Sequence, residues 1–440
     1  MTTPLDLFPI TARVDASGRL WLGGCLAGDL AREFGTPLYV YDAETLLARI
    51  REARSALEGY PGPHRLAYAG KAFLCLGLAQ ILRREGLDLD VTSAGEMAVA
   101  RAAGFPPQRV HLHGNSKSAA ELSEALGWGI GTIVVDNLHE LELLGRLTAG
   151  QPARQRVWLR VAPGIDVHTH PHRKTGLLDS KFGFTLETGA AADALRQALA
   201  MAGLQVVGLH AHIGSQVFQP EPFARATALL LDLAASVGFA PQELSPGGGW
   251  GAATSPEEAD LPLAAFGEAI ARAAVERCAR HRLPLPTLVI ELGRAIVGPA
   301  GVALYRVRSR KDIPGVRTYL SLDGGMGDNI RPALYGARYT ALAADRAAAP
   351  PEEIVTLAGR FCESGDIIAR DVPLPRLQAE DLIAVPRAGA YCLAMSSNYN
   401  LVPRPAVVIV RDGKAVLLQR RETAADLLAR DLPLPPNWGP

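Results

Sequence analysis

A single lysine, Lys71, interrupts the small and apolar stretch "YAGKAFLCLGLA" between Tyr68 and Ala79. An ammonium group buried among apolar side chains is costly unless another group pairs with it. One interpretation is a snorkelling lysine, whose apolar stem packs while its amine reaches water. The other is a lysine that forms a Schiff base with a carbonyl compound and is activated by desolvation. Other residues of the chain must decide between the two.

The stretch "HAHIGSQ" offers a second chemical signal, because His210 and His212 are two residues apart and share one face of a strand. The pair could bind zinc, or it could be one core histidine beside one polar histidine at the rim. A third interpretation has His212 stacking on a flat cofactor whose phosphate contacts Ser215. The histidines of "HTHPH" (168–172) lie in a polar stretch and are expected to be solvated.

Two further segments carry groups that suit a phosphate and a ring. "LSPGGGWGA" supplies Gly247–Gly249, whose backbone amides can approach a phosphate closely. "VIELGRAIVGPAG" places Glu291 at the end of an apolar strand, where a carboxylate needs a partner. That partner could be Arg294 in a plain ion pair. Alternatively, Glu291 faces a protonated ring nitrogen, while Gly293 and Arg294 face a phosphate or carboxylate.

The last third of the chain adds a thiol and a possible carboxylate clamp. "FCESGDIIARD" joins Cys362 to Glu363 ahead of a Ser-Gly-Asp turn, and an incidental cysteine in a β-turn is the plain interpretation. "DGGMGDNIRPALYG" sets Arg331 and Tyr335 four residues apart. On a short helix the two side chains share a face and could grip one carboxylate group.

The elements that must position these residues alternate between short apolar runs and longer helical patterns from about residue 38 to 299. Repeated strand–helix units predict a parallel sheet with right-handed crossovers, and about 250 residues suffice for a (β/α)8 barrel. The predicted strands include "HRLAYAG", "LDLDVTS", "RVHLHG", "GTIVVD", "RVWLRV", "VVGLHAHI" and "TLVIEL".

After residue 300 the pattern changes to strands joined by turns, such as "VALYRVRSRKDI" and "PAVVIVRDGKAVLLQRR". We therefore expect an α/β fold, a TIM-like (β/α)8 barrel over residues 43–299. A mostly β domain is expected from residues 1–42 and 300–440, so that it includes the N-terminal segment.

Composition excludes several functional classes. The 45 basic and 45 acidic residues cancel, which argues against a nucleic-acid or anionic-membrane surface. The five cysteines are scattered and form no CxxC pair, which favours free thiols in a reducing compartment. The N-terminus lacks the pattern of a signal peptide, and the most apolar later stretch carries Glu291 and Arg294. We expect a soluble cytoplasmic protein.

Taken together and in order, these motifs resemble the fold-type III pyridoxal-phosphate decarboxylases, and most closely the diaminopimelate decarboxylase family. So many ordered matches are more specific than any one motif. The matching segments are "YVYD", "YAGKAF", "LDVTSAGE", "LHGNSKS", "HAHIGSQ", "GGGWG", "ELGRAIVGPA", "DGGMGDNIRPALYG", "CESGDIIARD", "GAYC" and "RRET".

The resemblance implies pyridoxal 5′-phosphate as the cofactor and no metal. Lys71 would form the Schiff base, His212 would stack on the ring, and Glu291 would keep the ring nitrogen protonated. The residues implied in cofactor binding are Lys71, Asp90, Arg160, His212, Ser215, Gly247, Gly248, Gly249, Glu291, Gly293, Arg294 and Tyr391.

The resemblance also implies a substrate and an assembly. The reaction would be decarboxylation of meso-2,6-diaminopimelate to L-lysine and CO2, the last step of lysine biosynthesis, with Cys362 as proton donor. Catalytic roles would fall to Lys71, Cys362 and His212. A homodimer would share its active sites between subunits. The residues implied in substrate binding are Arg294, Arg331, Tyr335, Glu363 and Tyr391.

Three alternatives remain at this level. The first is a metal-dependent hydrolase that uses the His-x-His pair and a carbamylated lysine, although in that pattern the pair precedes the lysine. The second is an inactive binding relative on the same fold. The third is a decarboxylase of another carboxylate-bearing amino compound, such as carboxynorspermidine or a glutamyl-carrier substrate. Leu292 replaces the proline that is usual in the family, which bears on loop geometry.

Overall fold

A computed structural model of the 440-residue chain describes residues 4–166 and 180–438. The histidines of "HTHPH" therefore lie outside the described residues. No helix within these ranges is both long and apolar enough to cross a membrane. The described residues form two compact units, which we call the barrel unit (within Leu46–Ala253 and Glu257–Pro299) and the sheet unit (the remaining described residues).

The strands, numbered along the chain, have the following bounds. They are β1 Arg13–Val14, β2 Leu20–Leu22, β3 Cys25–Leu26, β4 Leu38–Asp42, β5 His64–Ala69, β6 Asp88–Val91, β7 Val110–Leu112, β8 Thr132–Val135, β9 Gln155–Ala162, β10 Phe184–Thr185, β11 Leu204–Ala211, β12 Glu243–Gly248, β13 Thr287–Leu292, β14 Gly301–Ile313, β15 Arg317–Leu322, β16 Leu342–Ala343, β17 Glu353–Ala358, β18 Ile367–Leu374, β19 Leu382–Val385, β20 Ala406–Arg411 and β21 Lys414–Gln419.

The α-helices are numbered in the same way, and short 3-10 turns are left without labels. They are α1 Ala27–Phe34, α2 Ala43–Ser55, α3 Leu76–Arg84, α4 Ala94–Ala102, α5 Ala119–Trp128, α6 Leu138–Leu147, α7 Ala190–Ala200, α8 Glu221–Ser236, α9 Leu263–His281, α10 Arg294–Val297, α11 Arg331–Tyr335 and α12 Ala424–Leu428.

Eight parallel strands of the barrel unit close into a ring in the order β5, β6, β7, β8, β9, β11, β12 and β13. The ring closes where β13 pairs with β5, with Glu291 beside Ala67, and the short β10 pairs outside it with β9. Each ring strand is followed by an α-helix in the described residues, as the alternating pattern predicted, with the short β10 between β9 and α7. The sequence prediction of a (β/α)8 barrel is confirmed.

The barrel interior is built in layers, because residues two apart on a strand share one face. The middle layer is an apolar cluster that includes the fully buried Trp158. A polar layer lies on each side of it, since β9 carries Arg156 before Trp158 and Arg160 after it. We call these the lower and the upper polar layer, at the start and end of the strands respectively. The middle cluster consists of Ala67, Val134, Trp158, Val207 and Val289.

The sheet unit contains one large and mostly antiparallel sheet, in the order β18, β17, β15, β14, β4, β20 and β21. β4 pairs with β14 antiparallel and with β20 parallel, so the "PLYVYD" strand belongs to this sheet and not to the barrel. Apolar side chains of β2, α1, β4, β14, β19 and β20 form its core. The prediction of a mostly β domain that includes the N-terminal segment is confirmed.

The main departure from the sequence pattern is β12, whose sequence "ELSPGG" contains Pro246 and was not among the predicted strands. Its pairing with β13 shifts register between Leu244 and Gly247, so the strand accommodates the proline at an irregularity. The sequence pattern also missed β17 and β18, the two strands that flank the turn containing Cys362.

Candidate active site

Glu291 lies at the end of β13 in the upper polar layer, and its carboxylate is buried. Ser245 Oγ donates to Oε1 at 2.6 Å, and His210 Nε2 lies 3.0 and 3.1 Å from the two carboxylate oxygens. Burial alone would raise the pKa of Glu291. The neighbouring His210 and His113 and these hydrogen bonds instead hold that pKa well below its ordinary value, so the group stays ionised.

These contacts test the plain interpretation of Glu291. The hydrogen bonds and ion pairs that the carboxylate makes in the described residues go to His210 and Ser245. Arg294, which sequence reasoning considered as an ion-pair partner, is therefore not the group that neutralises Glu291 in this structure. Ser245 carried no motif in the sequence, and only its place two residues after Glu243 on β12 indicated an inward direction.

The two histidines of "HAHIGSQ" occupy different environments. His210 is buried against Glu291, and burial lowers its pKa. His212 is partly exposed at the end of the same strand. Two groups of His and carboxylate side chains with metal-like spacing occur in the described part of the chain, and neither includes His212. The geometry therefore fits a core histidine followed by a rim histidine, and it does not bring the His-x-His pair together as zinc ligands.

His212 is close to the predicted Schiff-base lysine. Burial, the positive charge of Lys71 and that of Arg160 hold the pKa of His212 well below its ordinary value. The imidazole is therefore neutral near pH 7, which suits stacking on a ring rather than pairing with an anion.

The exposure of Lys71 agrees with the interpretation in which its amine reaches water, and the amine is not desolvated in this structure. Lys71 lies in a short 3-10 turn, Gly70–Ala72, directly after β5. Its neighbours Gly70 and Ala72 are buried, whereas Lys71 is exposed. The turn changes the direction of the chain at the strand end, so Lys71 is exposed while its neighbours in the apolar run pack.

The loops after β11, β12 and β13 approach one another closely through their glycines. A Cβ on Gly249 would lie 1.9 Å from the carbonyl oxygen of Gly214, and one on Gly248 would lie 1.4 Å from that of Glu291. Gly247 and Gly249 also have positive φ angles of 81° and 99°. Only glycine is compatible with this approach. Near it, Arg294 Nη2 donates to Ser215 Oγ at 3.5 Å, so two predicted phosphate ligands lie together.

Asp90 and Arg160 complete the predicted set in the barrel. Asp90 accepts a hydrogen bond from His111 Nδ1 at 2.9 Å and lies 3.5 Å from His113 Nε2. Arg160 Nη1 lies 3.5 Å from Asp136, and its guanidinium covers the ring of Phe182 at 4.3 Å from the centroid. Both predicted residues therefore belong to the upper polar layer.

In the sheet unit, Cys362 and Glu363 are both exposed on a braced turn. The Cys362 N–H donates to Asn400 Oδ1 at 3.0 Å, and the Phe361 N–H donates to Asp366 at 2.8 Å. The Met326 N–H donates to the other oxygen of Asp366 at 2.6 Å. These bonds fix the backbone of the turn and leave the thiol and the Glu363 carboxylate at its surface.

The predicted carboxylate clamp lies on α11 of the same unit. Arg331 is fully buried and its guanidinium donates to the hydroxyl of Tyr339, while Tyr335 is partly exposed. Tyr391 has a positive φ of 60°, which a tyrosine adopts rarely. Sequence reasoning missed Tyr339, because it lies three residues beyond the motif and outside any helix.

The barrel residues fit the cofactor that the resemblance implies. A pyridine ring with an aldehyde and a phosphate needs a carboxylate, an amine and several N–H or O–H donors. Glu291 supplies the ionised carboxylate and Lys71 an exposed amine beside the neutral His212. The Arg294–Ser215 pair and the glycine loops supply donors for a phosphate.

Comparisons with known proteins identify the family. The model for the pyridoxal binding domain of pyridoxal-dependent decarboxylases matches residues 44–298. A diaminopimelate decarboxylase of Bacillus subtilis (strain 168) is 43% identical over 427 residues, covering 96% of this chain and 97% of its own. One from Actinosynnema pretiosum is 46% identical and covers 97% and 95%.

The solved structures give the same result. The diaminopimelate decarboxylase of M. jannaschii in complex with L-lysine superposes with a TM-score of 0.90 at 31% identity, covering 97% of this chain and 98% of that one. The ordered motifs, the barrel with its second sheet unit, and relatives matched over nearly their whole length all agree. The chain therefore belongs to the diaminopimelate decarboxylase family of pyridoxal-dependent decarboxylases, and its cofactor is pyridoxal 5′-phosphate.

Proposed function

We propose that the protein decarboxylates meso-2,6-diaminopimelate to L-lysine and CO2, the last step of lysine biosynthesis. The observation that carries this proposal is identity of 41–46% with diaminopimelate decarboxylases over nearly the whole chain, sheet unit included. Substrate-binding residues lie in that unit as well as in the barrel, so similarity over the barrel alone would support only the cofactor. Lysine in the complex of the M. jannaschii relative is the expected product.

The barrel residues have distinct tasks in this reaction. When bound, pyridoxal phosphate supplies the electron sink for the electron pair that CO2 leaves behind. Glu291 stays ionised and so would hold a proton on the ring nitrogen, and the neutral His212 would pack against the ring. Lys71 supplies the amine that anchors the aldehyde. The phosphate would be held by Ser215, Gly247, Gly248, Gly249, Gly293 and Arg294 and by Tyr391 of the sheet unit, and Asp90 and Arg160 would line the pocket.

Substrate recognition and protonation are assigned to the sheet unit together with Arg294. The substrate has a carboxylate at the end that does not react, and a guanidinium–phenol pair suits that group. We assign this carboxylate to Arg294, Arg331 and Tyr335. Glu363 is placed at the distal amine beside Tyr391. Cys362 donates the proton that replaces CO2, because a positioned acid protonates one face of the carbanion.

We further infer a homodimer in which each active site takes residues from both chains. The exposure of Cys362 and Glu363 on a rigidly braced turn supports this, because a proton donor needs a covered site in which to work. Mixing inactive Lys71→Ala and Cys362→Ala proteins tests it. In mixed dimers one site is intact, so random exchange restores about a quarter of wild-type activity. No recovery despite demonstrated exchange places both groups in one chain.

We also propose that the enzyme works in the cytoplasm. All five cysteines are free thiols, and two of them, Cys362 and Cys25, retain exposed surface. Free and exposed thiols are typical of a reducing compartment.

The decisive test of the reaction is product identification. Purified enzyme supplied with pyridoxal phosphate and meso-diaminopimelate should release L-lysine and CO2, whereas ornithine, lysine and arginine, which end in cations, should react poorly. Arg331→Ala should lose mainly affinity for diaminopimelate. Equal turnover of ornithine would refute the carboxylate clamp. Turnover of carboxynorspermidine in preference to diaminopimelate would identify the alternative substrate class.

A further inference from the structure

The upper polar layer contains three histidines to which the proposed roles give no task. We call His111, His113 and His210 the histidine cluster. All three are buried, and they lie on β7, directly after β7 and on β11 respectively. The ring of His113 meets that of His210 edge-on at 5.1 Å between centroids. The cluster connects Asp90 to Glu291 across the barrel, although His210 and Glu291 are 81 positions apart in the chain.

The hydrogen-bond chemistry defines the protonation of His210. An ionised carboxylate only accepts hydrogen bonds, so the contact to Glu291 requires a proton on Nε2. Burial lowers the pKa of His210, so the ring is neutral and Nδ1 carries no proton. Nδ1 has no hydrogen-bond partner among the described residues. His210 is therefore a neutral imidazole whose one N–H points at Glu291.

Packing fixes the plane of this ring. The indole of Trp158 is parallel to it within 6°, with 6.4 Å between centroids. Trp158 is itself anchored, because its Nε1–H donates to Glu243 at 2.9 Å. The edge of His113 lies on another side of the ring. A side chain whose rotamer is held by such contacts can direct its hydrogen bond with little loss of entropy.

A purely structural core gives a poor account of this arrangement. Buried polar atoms nearly always have a hydrogen-bond partner, and one left without costs about 1–3 kcal/mol. His210 Nδ1 and Asp90 Oδ2 have none in the described part of the chain, and His113 Nε2 has only the carboxylate of Asp90 at 3.5 Å. Apolar residues of similar size would avoid that cost. An apolar replacement of His210 would remove the hydrogen bond that His210 donates to Glu291.

We propose that His210 is a positioning residue, which with Ser245 aims the Glu291 carboxylate at the cofactor's ring nitrogen and keeps it ionised. The inference rests on the proposed function only in assigning Glu291 to the ring nitrogen. Without its two donors, a carboxylate at this depth would favour the protonated form, and a carboxylic acid cannot stabilise a proton on the ring. His113 packs edge-on against the His210 ring and itself lies near Glu291, and Asp90 links His113 to His111.

Three variants test the proposal. His210→Leu removes the donor at similar volume, and His210→Gln keeps an N–H donor on a different side chain. His281→Leu is the matched control, because His281 pairs with Asp232 at 2.7 Å in the same unit, on helices outside the ring. Each variant is measured for cofactor affinity, for kcat and KM, and for the pH at which the bound cofactor's absorption changes without substrate.

His210→Leu should lower kcat about 10- to 100-fold, the range that supporting hydrogen bonds have at metal sites, with KM changed by less than about threefold. The pH midpoint of the absorption change should move by about one unit, since the carboxylate loses a hydrogen bond to its charged form. His210→Gln should recover most of both effects. If His210→Leu differs from wild type no more than His281→Leu does, the positioning role is wrong.

A separate measurement keeps this outcome apart from failure of the proposed function. Nitrogen-15 NMR of histidine-labelled protein without cofactor, assigned by comparison with His210→Gln, should show His210 protonated at Nε2 only. That result with no turnover of diaminopimelate would refute the proposed substrate, whereas the positioning of Glu291 by His210 would still be supported. A proton on Nδ1, or on both nitrogens near pH 7, would overturn the proposal whatever the substrate.

Discussion

The two polar layers of the barrel interior lie on either side of the same apolar cluster, yet they are built differently. In the lower layer, Asp88 binds Arg65 at 3.1 Å and Arg109 at 2.8 Å. Glu243 binds Arg65 and Arg156, each at 2.8 Å, and also accepts the Trp158 indole N–H. Each carboxylate here meets two guanidinium groups, which are always charged.

In the upper layer Glu291 and Asp90 have histidine partners, while Asp136 lies near Arg160, and several polar atoms have no hydrogen-bond partner among the described residues. Glu291 meets His210, and Asp90 meets His111 and His113. Imidazole changes protonation near neutral pH, and its two nitrogens have different roles. The comparison teaches that saturated charges at the start of the strands suit stability, while adjustable and partly unsatisfied groups at their ends suit a ligand.

Lys71→Ala should have the largest effect and act on chemistry alone. The variant loses the only amine assigned to the cofactor's aldehyde, so activity should fall by at least about 10⁴-fold. Because Lys71 is exposed, its unfolding free energy should change little. Borohydride treatment and mass spectrometry should locate the cofactor on Lys71 in wild type. Lys414→Ala, at an exposed site on β21, is the control, and substantial activity in Lys71→Ala would break the assignment.

Glu291→Gln and Glu243→Gln make the same chemical change in the two layers and sharpen the comparison. In the upper layer, an amide cannot hold the ring nitrogen's proton. Glu291→Gln should therefore lower kcat about 10²- to 10³-fold, as loss of one electrostatic contact does at other active sites. Steady-state kinetics with saturating cofactor measure this. An equal loss of kcat in both variants would contradict the division between the layers.

In the lower layer the same change should act on stability. Glu243→Gln removes a buried charge that two arginines share, and both arginines retain exposed surface and so can be hydrated. The unfolding free energy should fall by about 2 kcal/mol, with kcat of the folded enzyme near wild type. Urea unfolding followed by tryptophan fluorescence measures the first quantity. An unchanged midpoint would mean that the lower layer contributes no stability.

The smallest effect is on the pH dependence of stability. Burial lowers the pKa of His210 and of His212 in the folded chain. Just below pH 6.5, their ordinary pKa, the unfolded chain therefore binds protons at these groups and the folded chain does not. His111 opposes this, since Asp90 raises its pKa against the effect of burial. On balance, stability should fall as the pH drops below about 6.5, by about 1.4 kcal/mol per pH unit for each proton.

The lower layer should respond at a different pH. Burial opposes the charged form of Glu243, but Arg65 and Arg156 lower its pKa below the ordinary 4.5. Its contribution to the unfolding free energy is therefore present above pH 4.5 and is lost only below that pH. His212→Phe should therefore reduce the change of the urea midpoint with pH between pH 5 and 6.5, and Glu243→Gln should not. If Glu243→Gln abolished the pH dependence of the urea midpoint in this range and His212→Phe retained it, the assignment of the two layers would be reversed.

The sequence by itself determined the fold class and the family. Its apolar runs have the length and spacing of barrel strands, and its chemical motifs come in an order that chance does not supply. Alternation along the predicted strand "RVWLRV" also placed Arg156 and Trp158 on one face, because successive side chains point to opposite sides.

Only the tertiary structure decided which of these side chains meet. His210 contacts Glu291, and Trp158 donates a hydrogen bond to Glu243, between strands that are distant in sequence. The exposure of Lys71 depends on a turn that the apolar sequence around it did not predict. Strand period fixes which face a residue occupies, whereas the partner on that face depends on closure of the ring and on its register. Those are set by packing of the whole barrel, and no local stretch of sequence contains them.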